Sequence, residues 1–476
     1  MTKTKSCELW PAPGWVPDAI FYEIFPDRFY NGDPTNDPPG TVPWGSEPTQ
    51  HNFFGGDLRG IVDKLPYLQG LGINALYLTP IFPARTNHRY DVCDYLDVAS
   101  ALGSLPLARE LVQEAHARGM RVLLDAVFNH CGDGFWAFED LRQRGAESPY
   151  RDWFVTASFP ITQDPPNYMT CGGAAYLPKL NTRNPETRAY LLRVATFWLE
   201  EIGIDGWRLD VPWKVPSDFW REFRTAVKQV NPEAYILGEV WRDGRTWLTG
   251  EMFDGLMNYR LRDLILDYCV RDTMDAEDFD LELALLRRGM GPAAPFVLNL
   301  LGSHDTPRLL TLCGGNTDRA VVALTFLMTY VGAPMVYYGD EVGMRGENDP
   351  LCRGTMVWDE AQWNMRLLET HRALIALRRE HAALRHGSFE TLRVFNAVYA
   401  FARQYGEDAV IVVFNPRQAL RDVAVPLGAL ANRADVWEDV LRGERCSACD
   451  GKLWIERLEA CSALVLTAKA GAGKVT

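Results

Sequence analysis

Eight short apolar segments alternate with stretches whose apolar residues recur at helical spacing. The apolar segments cover residues 20–25, 75–78, 122–128, 204–209, 235–240, 253–257, 296–301 and 335–338. The helical stretches include residues 105–118, 187–202, 216–230 and 318–330. Parallel strands need crossover helices, and a closed ring of strands leaves no sheet edge exposed. The alternation therefore predicts an α/β fold, a (β/α)8 TIM barrel.

Two regions depart from this alternation. Residues 131–179, after the third strand, are rich in Pro, Gly and aromatic residues and are too long for a simple loop. After about residue 385, short strands joined by turns are predicted at residues 392–400, 409–414, 422–425 and 462–467. We expect a first barrel part at 15–130, an inserted subdomain at 131–179, a second barrel part at 180–384 and a C-terminal antiparallel β-sandwich at 385–468.

The charge balance excludes several classes of partner. The chain has 62 acidic and 49 basic residues, a formal net charge of −13, which disfavours binding to nucleic acid or to an anionic membrane. We find no apolar run long enough for a transmembrane helix, and prolines at 11, 13 and 17 interrupt any secretion signal. The ten cysteines are dispersed and suggest no disulfide framework. A cytoplasmic location is therefore expected.

Ionisable residues lie at the predicted carboxyl ends of four strands. These ends carry Asn129 and His130 (third strand), Arg208 and Asp210 (fourth), Glu239 (fifth), and His304 and Asp305 (seventh). In a TIM barrel the carboxyl ends of the strands line the active site. Charged groups are seldom buried without a partner or a task. We therefore expect all of these side chains to converge on one cavity.

The spacing within this set suggests how the carboxyl groups are tuned. Arg208 and Asp210 are two apart on a strand and face the same way, so the guanidinium should lower the pKa of Asp210, as suits a nucleophile. Glu239 follows an apolar run, and the charges of Asp210 and Asp305 should raise its pKa, as suits a general acid. Such a pair is what glycosidic cleavage requires, and the alternative is a purely structural ion-pair cluster. Six loop aromatics could either stack on sugar rings or simply pack: Trp44, Tyr90, Trp136, Tyr168, Trp213 and Trp241.

Five separated blocks carry these residues: Asp125-Ala-Val-Phe-Asn-His130, Leu177-Pro-Lys-Leu-Asn181, Gly206-Trp-Arg-Leu-Asp210, Gly238-Glu-Val-Trp241 and Ser303-His-Asp-Thr306. They resemble the signature regions of the α-amylase superfamily, family 13 of the glycoside hydrolases, and the resemblance extends over roughly residues 15 to 470. Together with Asn87-His-Arg-Tyr-Asp91 and Asn348-Asp-Pro-Leu-Cys-Arg353, the second block is most similar to the group of cyclomaltodextrinases, maltogenic amylases and neopullulanases.

The resemblance implies roles for individual residues. It makes Asp210 the nucleophile, Glu239 the acid/base and Asp305 the carboxylate that stabilises the transition state. It also implies a set of substrate-binding residues, with Tyr90 as the stacking platform and Asp349 and Arg353 on the non-reducing side: His88, Tyr90, His130, Arg208, His304, Asp349 and Arg353. These implied roles define a single sugar-binding cleft.

The implied reaction is retaining hydrolysis of α-1,4-glucosidic bonds in cyclodextrins and maltooligosaccharides, and also in starch and pullulan, to maltose or glucose with transglycosylation. Two alternatives use the same covalent intermediate: a protein that is mainly a 4-α-glucanotransferase, or a neopullulanase that cleaves α-1,6 bonds. A third is a non-enzymatic carbohydrate-binding scaffold, against which the retention of all three carboxyl residues argues.

A second site is suggested by a segment dense in oxygen ligands, formed by Asn31, Asp33, Asn36, Asp37, Gly55 and Asp57. These groups suit Ca²⁺, although the spacing is not that of an EF-hand, and the alternative is a turn-rich loop capped by its own side chains. In the group that the chain resembles, matching residues bind calcium, Gly55 through its carbonyl. We therefore expect one structural calcium ion.

The chain departs from the resembled group at two places. Group members commonly have Ala-Asn-Glu after Asp-Val, whereas this chain has Pro212, Trp213 and Lys214. We assign Trp213 and Lys214 to the substrate site, where Trp213 either stacks on an acceptor sugar or packs beneath the inserted subdomain. The first strand begins near residue 20, which leaves no room for the N-terminal module of roughly a hundred residues that accompanies dimers in the group. A monomer, or a dimer not mediated by such a module, is expected.

Overall fold

A computed structural model describes residues 10–468 of the chain. Residues 1–9, on which the expectation about a secretion signal partly rests, lie outside the described residues. Within residues 10–468, the structure has no helix that combines the length and the apolar character needed to cross a membrane.

The first part of the chain builds the barrel. Its strands, in chain order, are β1 (Phe21–Ile24), β2 (Ala75–Leu78), β3 (Arg121–Ala126), β4 (Thr170–Cys171), β5 (Ala174–Pro178), β6 (Gly206–Leu209), β7 (Tyr235–Val240), β8 (Gly255–Asn258), β9 (Leu298–Asn299) and β10 (Ala333–Tyr337). β4 and β5 pair only with each other, and the other strands close into a barrel in the order β1-β10-β9-β8-β7-β6-β3-β2. The predicted (β/α)8 barrel is confirmed, with each strand inside or next to its predicted segment.

Side chains along each barrel strand alternate between two faces, and the burial of both faces explains why the strand segments are nearly continuous apolar runs. Phe21 of β1 and Tyr77 of β2 belong to the cluster that fills the barrel interior. Their neighbours Tyr22 and Leu76 belong instead to the larger cluster between the strands and the surrounding helices. Both faces of each strand are therefore buried, as expected for a parallel sheet covered by helices.

The helices follow the strands around the outside of the barrel. They are α1 (Pro26–Phe29), α2 (Leu58–Leu71), α3 (Leu105–Ala117), α4 (Trp136–Arg144), α5 (Pro185–Phe197), α6 (Ser217–Val230), α7 (Tyr259–Cys269), α8 (Ala276–Met290), α9 (Leu309–Leu312), α10 (Thr317–Thr329), α11 (Met365–Glu380) and α12 (Ala382–His386). Many begin at a side-chain cap; for example, Asn184 accepts hydrogen bonds from Glu186 N and Thr187 N. The single helix predicted at 187–202 is instead α5 followed by a π-helical turn, Trp198–Ile202, which ends at Gly203 in the left-handed region.

The segment between β3 and α5 forms a protrusion above the barrel mouth. It contains α4 and the β4–β5 hairpin. Two backbone hydrogen bonds close its base, from Cys131 N to Pro178 O at 3.1 Å and from Leu180 N to Asn129 O at 3.0 Å. The protrusion is therefore fixed next to Asn129 and His130, at the end of the third barrel strand.

The C-terminal region is an antiparallel sheet. Its strands are β11 (Ser388–Phe395), β12 (Val398–Tyr405), β13 (Asp408–Asn415), β14 (Leu420–Pro426), β15 (Val436–Asp439), β16 (Arg445–Cys449), β17 (Lys452–Leu458) and β18 (Ser462–Ala468). The strand predicted at 392–400 is wrong: a turn at Asn396, whose φ is 54°, divides this segment between β11 and β12. The prediction also missed β15 to β17, whose polar and small residues obscure the strand pattern.

The sandwich is made from one continuous sheet in the order β11-β12-β13-β18-β15-β16-β17-β14. Val398 and Ile411 from one half pack in the same cluster as Val425 and Leu453 from the other, so the sheet folds over on itself. Its other face joins the barrel core; the ring of Tyr399 on β12, for example, lies 5.3 Å from that of Phe279 on α8.

Candidate active site

The carboxyl ends of β6 and β7 bring two acidic residues together. In the parallel register, Leu209 pairs with Gly238, so the next residues on each strand, Asp210 and Glu239, lie side by side. Both are buried, with exposed fractions of 8% and 4%. Two carboxyl groups in so small a buried volume require a counter-charge.

Arg208 supplies that counter-charge. Its side chain is fully buried, and its Nη1 lies 3.1 Å from Asp210 Oδ1 while its Nη2 lies 3.2 Å from Glu239 Oε2. A third carboxylate, Asp125 of β3, lies 2.9 Å from Nη1 through its Oδ2. One guanidinium therefore holds three carboxyl groups. Burial opposes its charge, but the negative charges of Asp125 and Glu239 raise the pKa of Arg208 above its usual range.

Both oxygens of Glu239 also accept hydrogen bonds. Oε2 accepts from the backbone N of Val211 at 2.9 Å, and Oε1 accepts from Trp241 Nε1 at 2.6 Å. Val211 has φ 38° and ψ 48°, a left-handed conformation that is strained for a β-branched residue and that occurs where Val211 N bonds to Glu239. Trp241 is held in turn by stacking on Tyr259, with ring centroids 3.8 Å apart.

The prediction that Arg208 lowers the pKa of Asp210 is wrong for the net shift. Burial and the negative charge of Glu239 raise the pKa of Asp210 well above its usual range, and the opposing effect of Arg208 is smaller. The physical reason is that one guanidinium is shared among three carboxyl groups. The nearby charge of Glu239 therefore opposes ionisation of Asp210.

The third predicted carboxylate, Asp305, lies on the loop after β9 and is bound by Arg353. Arg353 Nη2 is 3.1 Å from Asp305 Oδ1, and its Nη1 is 3.1 Å from Asp349 Oδ1. Arg353 Nε also donates to His304 O at 2.8 Å. The structure thus joins Asp349 and Arg353, which were predicted as a pair, directly to the catalytic candidates.

Tyr90 connects the two halves of this site. Its hydroxyl lies 2.9 Å from Asp125 Oδ2 and 2.7 Å from His304 Nε2, and its ring stacks on that of His304 with centroids 5.6 Å apart. The ring of His88 lies 5.9 Å from that of Tyr90. The predicted platform is therefore part of the hydrogen-bonded network as well as an aromatic surface.

The three predicted histidines are uncharged at neutral pH. Burial lowers the pKa of His88 to about 4, that of His130 to about 3 and that of His304 to about 4. His130 Nε2 is buried and has no hydrogen-bond partner within the described residues. Neutral imidazoles can bind sugar hydroxyl groups without adding charge next to the carboxyl groups.

Trp213 and Lys214 lie farther out, in a short turn after Val211. With Lys179 and residues of the protrusion, they line a cavity of about 490 Å³. Lys179 Nζ donates to Asn129 Oδ1 at 2.5 Å and to Lys214 O at 2.8 Å. Trp213 is 40% exposed. The turn is thus tied to the protrusion, and the partly exposed indole of Trp213 lines the cavity.

Sequence reasoning missed three buried polar residues that shape the site: Glu23, Tyr77 and Asp125. Glu23 Oε1 lies 2.5 Å from His304 Nδ1, and Tyr77 donates to Asp125 Oδ2 at 2.7 Å. The available signal was a charged residue inside an otherwise apolar strand, as in Phe21-Tyr-Glu-Ile24.

The candidate calcium residues form one loop cluster next to α2. Asn31 Nδ2 donates to Asp37 Oδ1 at 2.8 Å, and Asn36 Nδ2 donates to Asp57 Oδ2 at 3.0 Å. Asp57 also caps α2 through a 2.6 Å bond from Gly60 N. The Oδ1 atoms of Asn31 and Asn36 are buried and have no hydrogen-bond partner in the part of the chain that the structure describes. Such oxygens suit a hard cation.

Three further observations bear on this cluster. Gly55 has φ 80°, and a Cβ there would lie 2.2 Å from Asp37 Oδ1, so only glycine allows this close approach. Asp33 lies at the exposed edge and accepts from Thr35. Within residues 10–468, no group of three or more His, Cys, Asp or Glu side chains is arranged to hold a metal ion. The candidate set therefore depends on amide and carbonyl oxygens in addition to carboxylates.

Comparison with known proteins agrees with this geometry. Residues 23–366 match the family model described as alpha amylase, catalytic domain, and residues 389–466 match the model described as neopullulanase-like, C-terminal domain. A cyclomaltodextrinase from Geobacillus thermopakistaniensis is 46% identical over 93% of this chain and 75% of its own length. Neopullulanase 2 from Thermoactinomyces vulgaris is 45% identical over 94% of this chain and 77% of its own length.

Among solved structures, the cyclic α-maltosyl-(1→6)-maltose hydrolase from Arthrobacter globiformis superposes with a TM-score of 0.88 at 44% identity. The match covers 96% of this chain and 100% of that one. The barrel, the C-terminal sheet and the matched segments lead to one conclusion: the chain belongs to the α-amylase family of glycoside hydrolases.

Proposed function

We propose that the protein is a retaining α-glucan hydrolase that cleaves α-1,4-glucosidic bonds in cyclodextrins and maltooligosaccharides and releases maltose or glucose. The observation that carries this proposal is the placement of Asp210 and Glu239 on the two terminal nitrogens of one buried guanidinium. This arrangement suits the spacing of about 5–5.5 Å between carboxyl groups in retaining enzymes. The substrate class is supported by relatives named cyclomaltodextrinase and maltogenic α-amylase.

In the first step, a carboxylate oxygen of Asp210 attacks the anomeric carbon and forms an ester bond. The bond from that carbon to the glycosidic oxygen breaks, and Glu239 gives its proton to the departing oxygen. Asp305 lies where its charge stabilises the positive charge that develops on the sugar ring.

In the second step, the Glu239 carboxylate takes a proton from a water molecule, whose oxygen attacks the same carbon. The ester bond to Asp210 breaks, and both residues return to their starting protonation states. A sugar hydroxyl in place of water gives transglycosylation. Trp213, which is partly exposed and lines the cavity beside Lys214, is a suitable platform for such an acceptor.

The reaction requires an ionised Asp210 and a protonated Glu239. Burial and the negative charge of Glu239 raise the pKa of Asp210, so Asp210 ionises more readily when Glu239 carries a proton. A glycosidic oxygen next to Glu239 accepts a hydrogen bond only from a protonated Glu239. Substrate binding therefore favours the arrangement that the first step needs.

The proposed substrate contacts surround this pair. Tyr90 provides the ring surface at the cleavage point, and Arg353 and Asp349 bind the neighbouring glucose on the non-reducing side. The uncharged imidazoles of His88, His130 and His304 bind sugar hydroxyl groups.

One observation favours a second substrate. The match to the cyclic α-maltosyl-(1→6)-maltose hydrolase covers 100% of that chain. Such a substrate contains an α-1,6 bond, as pullulan does, so the neopullulanase alternative and this one share a test. A mainly transferring enzyme, a 4-α-glucanotransferase, is the remaining alternative and would give longer products from maltotriose.

We also propose a structural Ca²⁺ held by Asn31, Asp33, Asn36, Asp37, Gly55 and Asp57. The support is the pair of buried amide oxygens without partners. An ion here would fix the loop between α1 and α2, outside the catalytic network. Addition of a chelator should lower the melting temperature of the wild type. The Asp37→Asn variant, which keeps the hydrogen-bonding shape of the side chain, should lose this response, and elemental analysis that finds no metal would remove the proposal.

For location, we propose the cytoplasm. One relative is named intracellular maltogenic amylase, from Bacillus subtilis, at 44% identity, and all nine cysteines within residues 10–468 are free. We further propose that the enzyme acts as a monomer, or as a dimer not mediated by an N-terminal module, which a solution mass measurement tests.

The proposed function is tested by products and by labelling. β-Cyclodextrin, maltotriose, starch, pullulan and cyclic maltosyl-maltose are each incubated with the enzyme, and the products are followed over time. Release of maltose or glucose from cyclodextrin supports the proposal. Failure to hydrolyse any of these substrates would contradict it. A mechanism-based fluoro-sugar should form a covalent adduct on Asp210, identified by peptide mass; an adduct on another residue would overturn the nucleophile assignment.

A further inference from the structure

Glu23 is a fully buried carboxyl group on β1 that the mechanism above does not use. Its Oε1 lies 2.5 Å from His304 Nδ1 and 3.3 Å from the backbone N of His304, while its Oε2 is buried and has no hydrogen-bond partner among residues 10–468. Burial of a carboxyl group that is not fully hydrogen-bonded lowers the stability of the fold, so we expect Glu23 to have a specific role. Because His304 adjoins Asp305, that role concerns the reaction.

The hydroxyl groups around Asp125 determine which nitrogen of His304 carries a proton. Tyr77 donates to Asp125 Oδ2 at 2.7 Å, and Arg208 Nη1 lies within 3.0 Å of both Asp125 oxygens. Asp125 is thus surrounded by donors and acts as an acceptor. The Tyr90 hydroxyl, 2.9 Å away, has a single hydrogen, which it donates to Asp125.

It follows that His304 must donate to Tyr90. Their separation, 2.7 Å between Nε2 and Oη, requires one hydrogen, and the hydrogen of Tyr90 is already committed to Asp125. The hydrogen therefore belongs to His304 Nε2. The same N–H faces Asp305 Oδ2 at 3.2 Å. Nε2 is thus the atom of His304 that serves the catalytic side.

The 2.5 Å contact between Glu23 Oε1 and His304 Nδ1 needs a hydrogen as well. Together, Glu23 and His304 hold this shared proton and the one on Nε2. Other ionisable groups face the pair, namely Tyr77, Tyr90, Asp305, Tyr337, Arg208 and Arg353, but Glu23 is the one within hydrogen-bond distance of Nδ1 in the described residues.

We propose that Glu23 is a positioning residue: the proton that it shares with Nδ1 holds His304 in the form that donates from Nε2 towards Tyr90, Asp305 and the sugar. Without this proton, a neutral imidazole could place its single hydrogen on Nδ1, and Nε2 would present a lone pair to the Tyr90 oxygen and the Asp305 carboxylate. His304 Nε2 would then be a hydrogen-bond acceptor where the site needs a donor, and it would face two other acceptors. The inference about catalysis rests on the proposed hydrolase function, whereas the hydrogen position does not.

Two variants separate the loss of the hydrogen-bond donor to His304 Nδ1 from a change in the shape of the side chain at position 23. In Glu23→Gln, the amide N–H can still donate to Nδ1, so we expect kcat/KM to stay within about threefold of wild type. In Glu23→Leu, of similar size but without a hydrogen-bonding group, we expect kcat/KM on maltooligosaccharides to fall roughly 10- to 100-fold, the range typical for loss of a residue that orients another. A folded Glu23→Leu with wild-type activity, or equal losses in both variants at equal melting temperatures, would overturn the proposal.

A second measurement does not depend on turnover. In full-length protein labelled with ¹⁵N-histidine, the His304 signals, identified by their loss in His304→Gln, should show a protonated Nε2 in the wild type and in Glu23→Gln. A wild-type spectrum with a protonated Nδ1 and a bare Nε2 refutes the assignment. If the wild type hydrolyses no glucan while its Nε2 is protonated, the hydrolase proposal fails and the assignment of Glu23 stands.

Discussion

Arg208 and Arg403 both have fully buried guanidinium groups, but the two groups have different partners. At the barrel mouth, Arg208 lies among the carboxyl groups of Asp125, Asp210 and Glu239. Where the C-terminal sheet meets the barrel, Arg403 donates to the carbonyl oxygens of Thr329, Ser388 and Gly387. The neighbouring Arg378 donates to Met328 O and Tyr330 O at the end of α10.

The groups around each buried guanidinium determine how its pKa is shifted. Carboxylates raise the pKa of Arg208, whereas burial lowers that of Arg378 to about 9 and that of Arg403 to about 10. Carbonyl oxygens at a helix C-terminus provide partial negative charge but take up no proton. The first site therefore has an excess of titratable groups available for chemistry, and the second provides attachment alone.

The largest effect should come from removing one carboxyl group of the Arg208 site. Glu239→Gln keeps the shape but cannot donate the proton, so we expect kcat on maltotriose to fall roughly 1,000-fold or more. The exposed Glu251→Gln should behave like wild type. Near-normal turnover by a folded Glu239→Gln would show that the acid/base is another residue.

Removing the shared guanidinium tests the same site from its centre. Arg208→Met leaves three buried carboxyl groups without their counter-charge, which should lower the free energy of unfolding by about 3–5 kcal/mol. Activity should fall roughly 100-fold at a temperature where the variant is folded. Chemical denaturation and product assays measure the two effects, and an active, stable Arg208→Met would contradict our account of the site.

The matched substitution where the C-terminal sheet meets the barrel should lower stability without lowering activity. Arg403→Met leaves carbonyl oxygens unpaired, so we expect a loss of about 1–3 kcal/mol in the free energy of unfolding. Because Arg403 is remote from the carboxyl groups, kcat/KM should stay within about twofold of wild type. A loss of activity as large as that of Arg208→Met would remove the distinction between the two sites.

The smallest effect is a shift in pH dependence. Asp210 must be ionised to attack, and its raised pKa limits activity on the acid side. Glu239→Gln removes a negative neighbour and so lowers the pKa of Asp210, which moves the acid limb to lower pH by about one unit. The profile of kcat/KM is measured with α-maltosyl fluoride, whose leaving group needs no proton. Arg208→Met removes a positive neighbour, so its limb should move to higher pH; shifts in the reverse directions would contradict the coupling.

Much of the site could be predicted because its residues lie at strand ends. Once the alternation of strands and helices had fixed a barrel, Asp210, Glu239 and Asp305 had to meet at one mouth, and the structure places them there. Glu23 and Asp125 were not selected, since each sits within an apolar strand and its partner, His304 or Arg208, is distant in sequence. The strand at 392–400 was predicted without its turn because Asn396 lies within a mostly apolar stretch.

The sequence by itself determined the order of strands and helices, the barrel and the identity of the carboxyl groups at its mouth, because hydrophobic periodicity is local and the ends of parallel strands converge. The tertiary structure alone decided how those groups are charged. Arg208 pairs with three carboxyl groups, Glu239 lies next to Asp210, and Glu23 of β1 contacts His304 after β9. A pKa depends on burial and on every charge nearby, and residues far apart in the chain supply both.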